Sequence, residues 1–511
     1  MLAAVRSATL RGIDGCRVTV EIHVSNGLPS YTVVGLPDAS CRESRDRVRA
    51  AVLSCDHPWP ATRIIVNLAP SGVPKVGAGL DLAIAVGILA AGGVFPAAAL
   101  EGFAFLGEVG LDGAVRPVLG AVPLVGALGA VTCVVAAENY AHAALVADGD
   151  VRGVSHLAQV VAALKGAAPW PDPPVVGRPS GPRTVPPELA DVRGNSLARK
   201  ALEISAAGRH HLLMVGPPGS GKTMLARRLP GLLPELSRAD ALMATRVHSA
   251  AGEPLPSGGL ITLPPLRAPH HGLSSVAMVG GGTGTMRPGE ISLATGGVLF
   301  LDELGEFQPS ALDALRQPLE EGVVRVSRAH SAVTFPAQFL LVGAMNPCPC
   351  GFGGGPGFCR CSESSRARYH RRVSGPLLDR FDLRIDVQRP TADELLRGKP
   401  GETSATVAAR VAEVRARAVA RGVSANAALS GPILERHAPL EDEAASVLER
   451  ALRDGRISAR GLSRLRSVAR TIADLDEIDG APAGPLRRRH VTLALALRAT
   501  LPALEGWTNV G

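Results

Sequence analysis

The sequence predicts an α/β chain with two sheet-bearing regions and a helical C-terminal region. Three observations carry this. Strand-like and helical runs alternate from Met1 to about Lys165. A glycine-rich turn separates an apolar strand from a helix at Gly216 to Thr223. Beyond Thr391 the chain reads as successive helices.

At 511 residues the chain exceeds what one core supports, so roughly two to four domains are expected. Hydrophobic residues at 46% and charged residues at 20% give an ordinary soluble globular composition, not a disordered one. Aromatics reach only 3%, so the core must rest on Val, Leu, Ala and Ile. A net charge of +8 suits a polyanionic partner and equally suits arginines spread over solvated faces.

Residues 1–165 carry strand-like runs at Val18 to Val24, Tyr31 to Val34 and Ile64 to Leu68, with helices at Ser44 to Leu53 and Leu80 to Ala91. Arg6, Arg11 and Asp14 interrupt any apolar core at the start, so no signal peptide is read there. Between Arg116 and Glu138 an uncharged stretch is long enough to span a bilayer. Pro117, Pro123 and its glycines instead favour a buried helix (Val118 to Leu128), a break at Gly129 and a strand (Val131 to Ala136). No membrane partner and a cytoplasmic location are expected. Residues 166–187 are proline-dense, which prevents helix and ladder alike and predicts a semi-rigid linker. Residues 188–390 hold the motifs that follow. Residues 391–511 form the helical region, with helices at Thr406 to Arg421, Asp442 to Arg453, Ala459 to Leu475 and Arg487 to Leu497.

His211 to Val215 is a short apolar strand that runs into Gly216, Pro217, Pro218, Gly219, Ser220, Gly221, Lys222 and Thr223. The glycines let backbone N–H groups face phosphates, and a helix at Met224 to Leu229 would aim its positive end at them. Lys222 would reach the β- and γ-phosphates of ATP, and the Thr223 hydroxyl would ligate Mg2+. VLFLDE, Val298 to Glu303, reads as a strand buried on both faces that delivers Asp302 to its carboxyl end. Asp302 would hold the hydrated Mg2+, and Glu303 would orient or deprotonate the attacking water. A third strand, Phe339 to Ala344, ends near Asn346, an amide suited to sensing the γ-phosphate; a turn-forming Asn before Pro347 is the alternative. The order strand, P-loop, acidic pair, polar sensor separates an AAA+ ATPase from other P-loop folds.

The runs APHHGLSSVAMVGGG (Ala268 to Gly282), PGEISLATGGVLFLDEL (Pro288 to Leu304), RQPLEEGVVRVSRAHSAVTFPAQFLLVGAMNPCPCG (Arg316 to Gly351) and LLDRFDLRIDV (Leu377 to Val387) resemble the ComM/YifB family of magnesium-chelatase-like AAA+ ATPases. The likeness covers essentially the whole chain. It implies an AAA+ core with a helical lid, related to the chelatase motor subunit and to minichromosome-maintenance helicases. The best understood members are hexameric DNA helicases that promote branch migration in natural transformation. A homo-hexamer, a DNA partner and ATP-driven movement are therefore expected. A chelatase-like ATPase that remodels a protein partner without DNA is the alternative.

The resemblance places an arginine finger at Arg380, aimed at a neighbouring subunit's γ-phosphate; an ordinary pair with Asp379 or Asp382 is the other reading. It places sensor 2 at Arg460, with Arg464 one turn on as a weaker candidate. Gly322 to Pro336 alternates apolar and polar residues about Arg328-Ala329-His330, a β-hairpin pattern. The family places such a hairpin in the ring's pore, so Arg325, Arg328 and His330 are candidate DNA contacts, or merely caps of a solvated hairpin. The insertion Ala268 to Met286, with His270, His271 and a run of glycines, is a second candidate pore loop, or merely a flexible turn.

Of eight cysteines, four cluster within the insertion at residues 346–362. Cys348, Cys350, Cys359 and Cys361 form two Cys-x-Cys pairs suited to a closed structural Zn2+ site, although the usual pair spacing is two residues. Free thiols or a redox pair are the alternatives. Cys16, Cys41, Cys55 and Cys133 are isolated and expected to be buried. VNLAPSGVPKVGAGLDLAIAVGILAA, Val66 to Ala91, resembles the proteolytic domain of Lon-type proteases, a ribosomal-protein-S5-like fold. That implies a Lon-like α/β domain at residues 1–165. The position aligned with the family's catalytic serine is Gly79, and Ser71 belongs to the preceding turn, so the fold is expected without protease activity.

Overall fold

The computed structural model describes residues 1–174, 186–256, 259–282, 286–328, 331–352, 359–478 and 484–498. Its first sheet starts with two long strands, β1 (Leu2–Arg11) and β2 (Asp14–Ser25), antiparallel about a turn at Gly12. Along β1 the small and apolar residues Ala3, Val5 and Ser7 face inward, while Ala4 and Arg6 face solvent. The strand β3 (Ser30–Val34), helix α1 (Ala39–Ser54), strand β4 (Arg63–Ala69) and helix α2 (Asp81–Ala91) follow. Next come β5 (Phe103–Leu106), β6 (Thr132–Ala136) and β7 (Val151–Val154). They complete a seven-stranded mixed sheet in the order β3-β4-β2-β1-β5-β6-β7. Every residue of α2 is buried, as an uninterrupted apolar helix requires. Its one charge, Asp81, takes two hydrogen bonds from the Arg47 guanidinium, at 2.7 and 3.1 Å.

The uncharged stretch after Arg116 folds as a short helix, Ala121–Gly126, then Gly129 at φ 76°, then β6. Among the described residues no helix is long and apolar enough to cross a membrane. Residues 175–185 of the proline-rich stretch lie outside the described residues.

The second sheet is parallel. The chain enters it through α3 (Ser196–Gly208), β8 (Leu212–Val215) and the short helix α4 (Lys222–Ala226). Helix α4 therefore begins two residues earlier than Met224, because the loop's last glycine caps it directly. Then come β9 (Leu266–Arg267), β10 (Val298–Leu301), a hairpin of β11 (Val323–Arg328) and β12 (Ser331–Pro336), β13 (Leu340–Met345) and β14 (Leu383–Asp386). The sheet order is β9-β10-β13-β8-β14, with every pairing parallel. All residues of β8, β10 and β13 are buried, as a sheet covered on both faces demands. This arrangement is consistent with an AAA+ core. The carboxyl ends of β8, β10 and β13 share one edge, where such sheets bind ligands.

The C-terminal helices α5 (Ser404–Ala420), α6 (Asp442–Arg453), α7 (Ala459–Ile478) and α8 (Arg488–Ala496) do not make a core of their own. Val411, Leu465, Ile472 and Leu497 join Leu212, Met214, Phe300 and Val342 in one apolar cluster. The N-terminal region also docks on the second sheet's layer. Asp14 pairs with Arg246 at 2.6 Å, the Gly120 N–H donates to the Ser249 carbonyl at 3.0 Å, and Ile13 enters the cluster that holds Val324, Val333 and Phe335.

Candidate active site

The loop after β8 curls through two left-handed glycines, Gly219 at φ 78° and Gly221 at φ 92°. A Cβ on Gly216 would stand 2.2 Å from the Val387 carbonyl oxygen, so only glycine fits between β8 and β14 there. Lys222 folds back over the loop. Its Nζ donates to the carbonyls of Gly216 (2.7 Å) and Pro217 (3.0 Å) and to Asn346 Oδ1 (3.3 Å). Burial lowers its pKa, against the pull of Asp302. Thr223 Oγ1 donates to Asp302 Oδ2 at 2.7 Å, so the hydroxyl and carboxylate read as Mg2+ ligands already touch. The loop residues, Asp302 and Asn346 thus meet at the carboxyl edge of β8, β10 and β13.

Glu303 is strained. It is a non-glycine at φ 53°, and its backbone N–H donates to Asp302 Oδ1 at 3.0 Å. Its carboxylate lies 3.1 Å from His271 Nδ1. His271 was read from sequence only as part of a pore loop; the structure sets it against the acidic pair. The insertion that carries it holds a short helix, Ser275–Val279, and a two-residue strand pairing, Gly280–Gly281 with Arg287–Pro288. Its neighbour His270 stacks on His271 with ring centroids 4.0 Å apart.

Arg380 pairs with Glu320, not with Asp379 or Asp382, and among the described residues its Nε has no hydrogen-bond partner. Arg380, Arg460, Arg464 and Arg498 line one cavity of about 160 Å³, and no residue of the phosphate loop lines it. Arg464 donates to the Asp379 carbonyl and lies 3.6 Å from Asp382. In the hairpin, Arg325 is exposed and paired with Glu321 of its own approach helix. The Arg328 side chain and His330 lie outside the described residues. Arg11 Nη2 donates to the Ala332 carbonyl at 3.2 Å, so the hairpin rests on the β1–β2 turn.

The four clustered thiols converge. Cys348 Sγ lies 3.3 Å from Cys350 Sγ and 3.7 Å from Cys359 Sγ, Cys350 and Cys359 are 3.5 Å apart, and all four sulfurs fall within 4.8 Å. A zinc tetrahedron with Zn–S of about 2.3 Å has edges of about 3.8 Å, so the donor set fits zinc. Of the isolated cysteines, Cys41 and Cys133 are buried, whereas Cys16 and Cys55 are partly exposed. In the N-terminal region Gly79 lines a cavity of about 280 Å³ with Thr9, Ser40 and Glu108. Ser71 is exposed and does not line it.

Three family models match the chain. The model described as magnesium chelatase, subunit ChlI, covers residues 188–415. The model of subunit ChlI of Mg-chelatase covers residues 20–139, and that of the subunit's C-terminal part covers residues 401–498. Among curated proteins, competence protein ComM of Haemophilus influenzae is 43% identical over 517 residues, covering 100% of both chains. Protein YifB of Escherichia coli is 41% identical over 503 residues, 98% of this chain and 97% of its own. An uncharacterized protein of Mycobacterium tuberculosis is 46% identical over 479 residues, 92% of this chain and 94% of its own.

Proposed function

Because the chain belongs to the ComM/YifB family of magnesium-chelatase-like AAA+ ATPases, we propose that it is an ATP-hydrolysing DNA motor that works as a ring, most simply a hexamer, in recombination or uptake of foreign DNA. One observation carries the ATPase half: at one sheet edge Lys222 donates a hydrogen bond to Asn346 and, beside it on the same loop, Thr223 donates one to Asp302. Lys222, freed from the loop carbonyls, neutralises the β- and γ-phosphates. Thr223 and Asp302 are the residues that would hold Mg2+, which supplies charge neutralisation at the phosphates when bound. Glu303 orients the attacking water and takes its proton. Asn346 fixes that water against the γ-phosphate.

The pocket is completed by a neighbour. Arg380 and Arg460 share a cavity that excludes the phosphate loop, which favours both arginines serving an adjoining protomer's nucleotide. The cluster Cys348, Cys350, Cys359 and Cys361 is read as a closed structural zinc site, and residues 1–165 as a Lon-like fold that carries glycine where a protease would need serine.

The DNA half draws support from the competence role named for the Haemophilus relative and from Arg325, which is exposed on the hairpin. A protein-remodelling ATPase is the second reading, favoured by the chelatase-subunit models. Single-stranded DNA separates them. At low salt it is expected to raise the steady-state ATPase rate, and Arg325→Glu is expected to abolish that rise while basal turnover persists. A rate that stays flat across DNA concentrations would overturn the DNA reading and leave the remodelling one.

A further inference from the structure

The cysteine cluster grows directly out of the nucleotide site. Asn346, which accepts from Lys222, stands two residues before Cys348, and Cys361 stands one residue before Ser362, the cap of the helix Glu363–His370. Between Met345 and Glu363 the described residues form no helix or strand, and Cys348 is the segment's one buried hydrophobic side chain among them. A segment with so little core and no ladder needs a cross-link to hold a shape.

That shape touches the phosphate loop. Gly351 adopts φ 88°, and a Cβ there would meet Pro218 Cδ at 2.5 Å, so backbone lies flat against the loop. The next residue, Phe352, has the Arg389 guanidinium over its ring at 5.7 Å, and Arg389 Nε in turn donates to the Pro218 carbonyl at 2.9 Å. On the other side the Pro347 carbonyl is bonded by His370 Nε2 at 2.9 Å. The sulfur cluster thus sits between the polar sensor and the middle of the loop that must wrap phosphates.

We propose that Cys348, Cys350, Cys359 and Cys361 bind one zinc ion that clamps this segment against Pro218, so that nucleotide affinity at the phosphate loop depends on the metal. This rests on the ATPase reading above and adds to it a metal-dependent step in nucleotide binding. In this arrangement the zinc contacts no substrate; it acts through Gly351 and the Phe352–Arg389 stack.

The test uses the full chain. Elemental analysis is expected to find about one zinc per chain. Removing it with a mercurial thiol reagent and chelator, followed by reduction, is expected to weaken binding of a fluorescent ATP analogue about tenfold or more. Far-UV circular dichroism should be unchanged, and added zinc should restore affinity. Gly351→Ala is expected to keep its zinc and yet lose affinity, because the methyl displaces Pro218. Substoichiometric zinc, equal affinity in stripped and loaded protein, or global unfolding on stripping would each overturn the clamp. Loaded protein that binds no nucleotide would sink the ATPase reading and the clamp together.

Discussion

Lys222 and Glu303 show how differently two residues of one pocket can be held. Lys222 is buried and satisfied by carbonyls of its own loop, so its ammonium is already aimed where phosphates would displace those carbonyls. Glu303 is strained at φ 53° and tied to His271 at 3.1 Å, on an insertion far from it in sequence. Freed of that partner, the carboxylate can turn to a water. His271→Ala is therefore expected to raise basal ATP turnover a few-fold and to shrink any stimulation by DNA. Glu303→Gln should lower kcat by about 10²-fold or more with nucleotide binding intact, the usual weight of a general base. Steady-state kinetics on the two variants check this; an unchanged or lower basal rate in His271→Ala would contradict a restraining role for the pair. The phosphate loop and the acidic pair were legible because each is contiguous and its spacing encodes a backbone shape. The His271–Glu303 and Arg380–Glu320 pairs were not, because they are set by which loops the sheet order brings together.

Among the elements, the hairpin β11–β12 carries the most consequence. Its alternation was legible from Gly322 to Pro336, but not the surface it rests on. The β1–β2 turn supplies that surface. Gly12, at φ 65°, lies so close that a Cβ would stand 2.2 Å from Val333 Cγ1, and Ile13 is buried beside Val324 and Phe335. Strand β1 itself was read only as too interrupted for a signal peptide, since its period-two pattern mixes Arg6 with small residues. The contact ties the N-terminal region to the hairpin. Ile13→Ala is expected to destabilise the chain by about 2–4 kcal/mol in urea unfolding, a cavity cost, and to blunt the DNA-stimulated ATPase rate. A destabilised variant with full stimulation would mean the turn only packs.

At the scale of the whole molecule, the helices that close the C-terminal end share their core with the parallel sheet, and a buried polar contact stitches the two. His210 is buried with Nε2 2.8 Å from Thr471 Oγ1 on α7, which joins the two, while within the sheet His211 Nδ1 accepts from the Leu341 N–H at 3.0 Å. Burial pushes both imidazoles down to about 4, against the pull of Asp382. The unfolded value is about 6.5, so below that pH the unfolded chain binds protons the folded chain refuses. Stability is therefore full above about pH 6.5 and lost as the pH falls toward 4. Melting curves between pH 7.5 and 4.5 should show Tm falling across this window, and His210→Gln should flatten the fall; an equal slope in the variant would assign acid lability elsewhere. This shared core was hidden in the sequence, where helical periodicity marks the helices but not what they cover.

The motor account rests on a nucleotide site assembled from two protomers, one giving Lys222, Asp302 and Glu303 and the next giving Arg380. Mixing purified Arg380→Ala with Lys222→Ala protein tests it directly. Each variant alone is expected to be inactive. In a random equal mixture about a quarter of head-to-tail interfaces would pair an intact loop with an intact arginine, and hydrolysis should return to that order. A mixture as inactive as its parts would contradict the account.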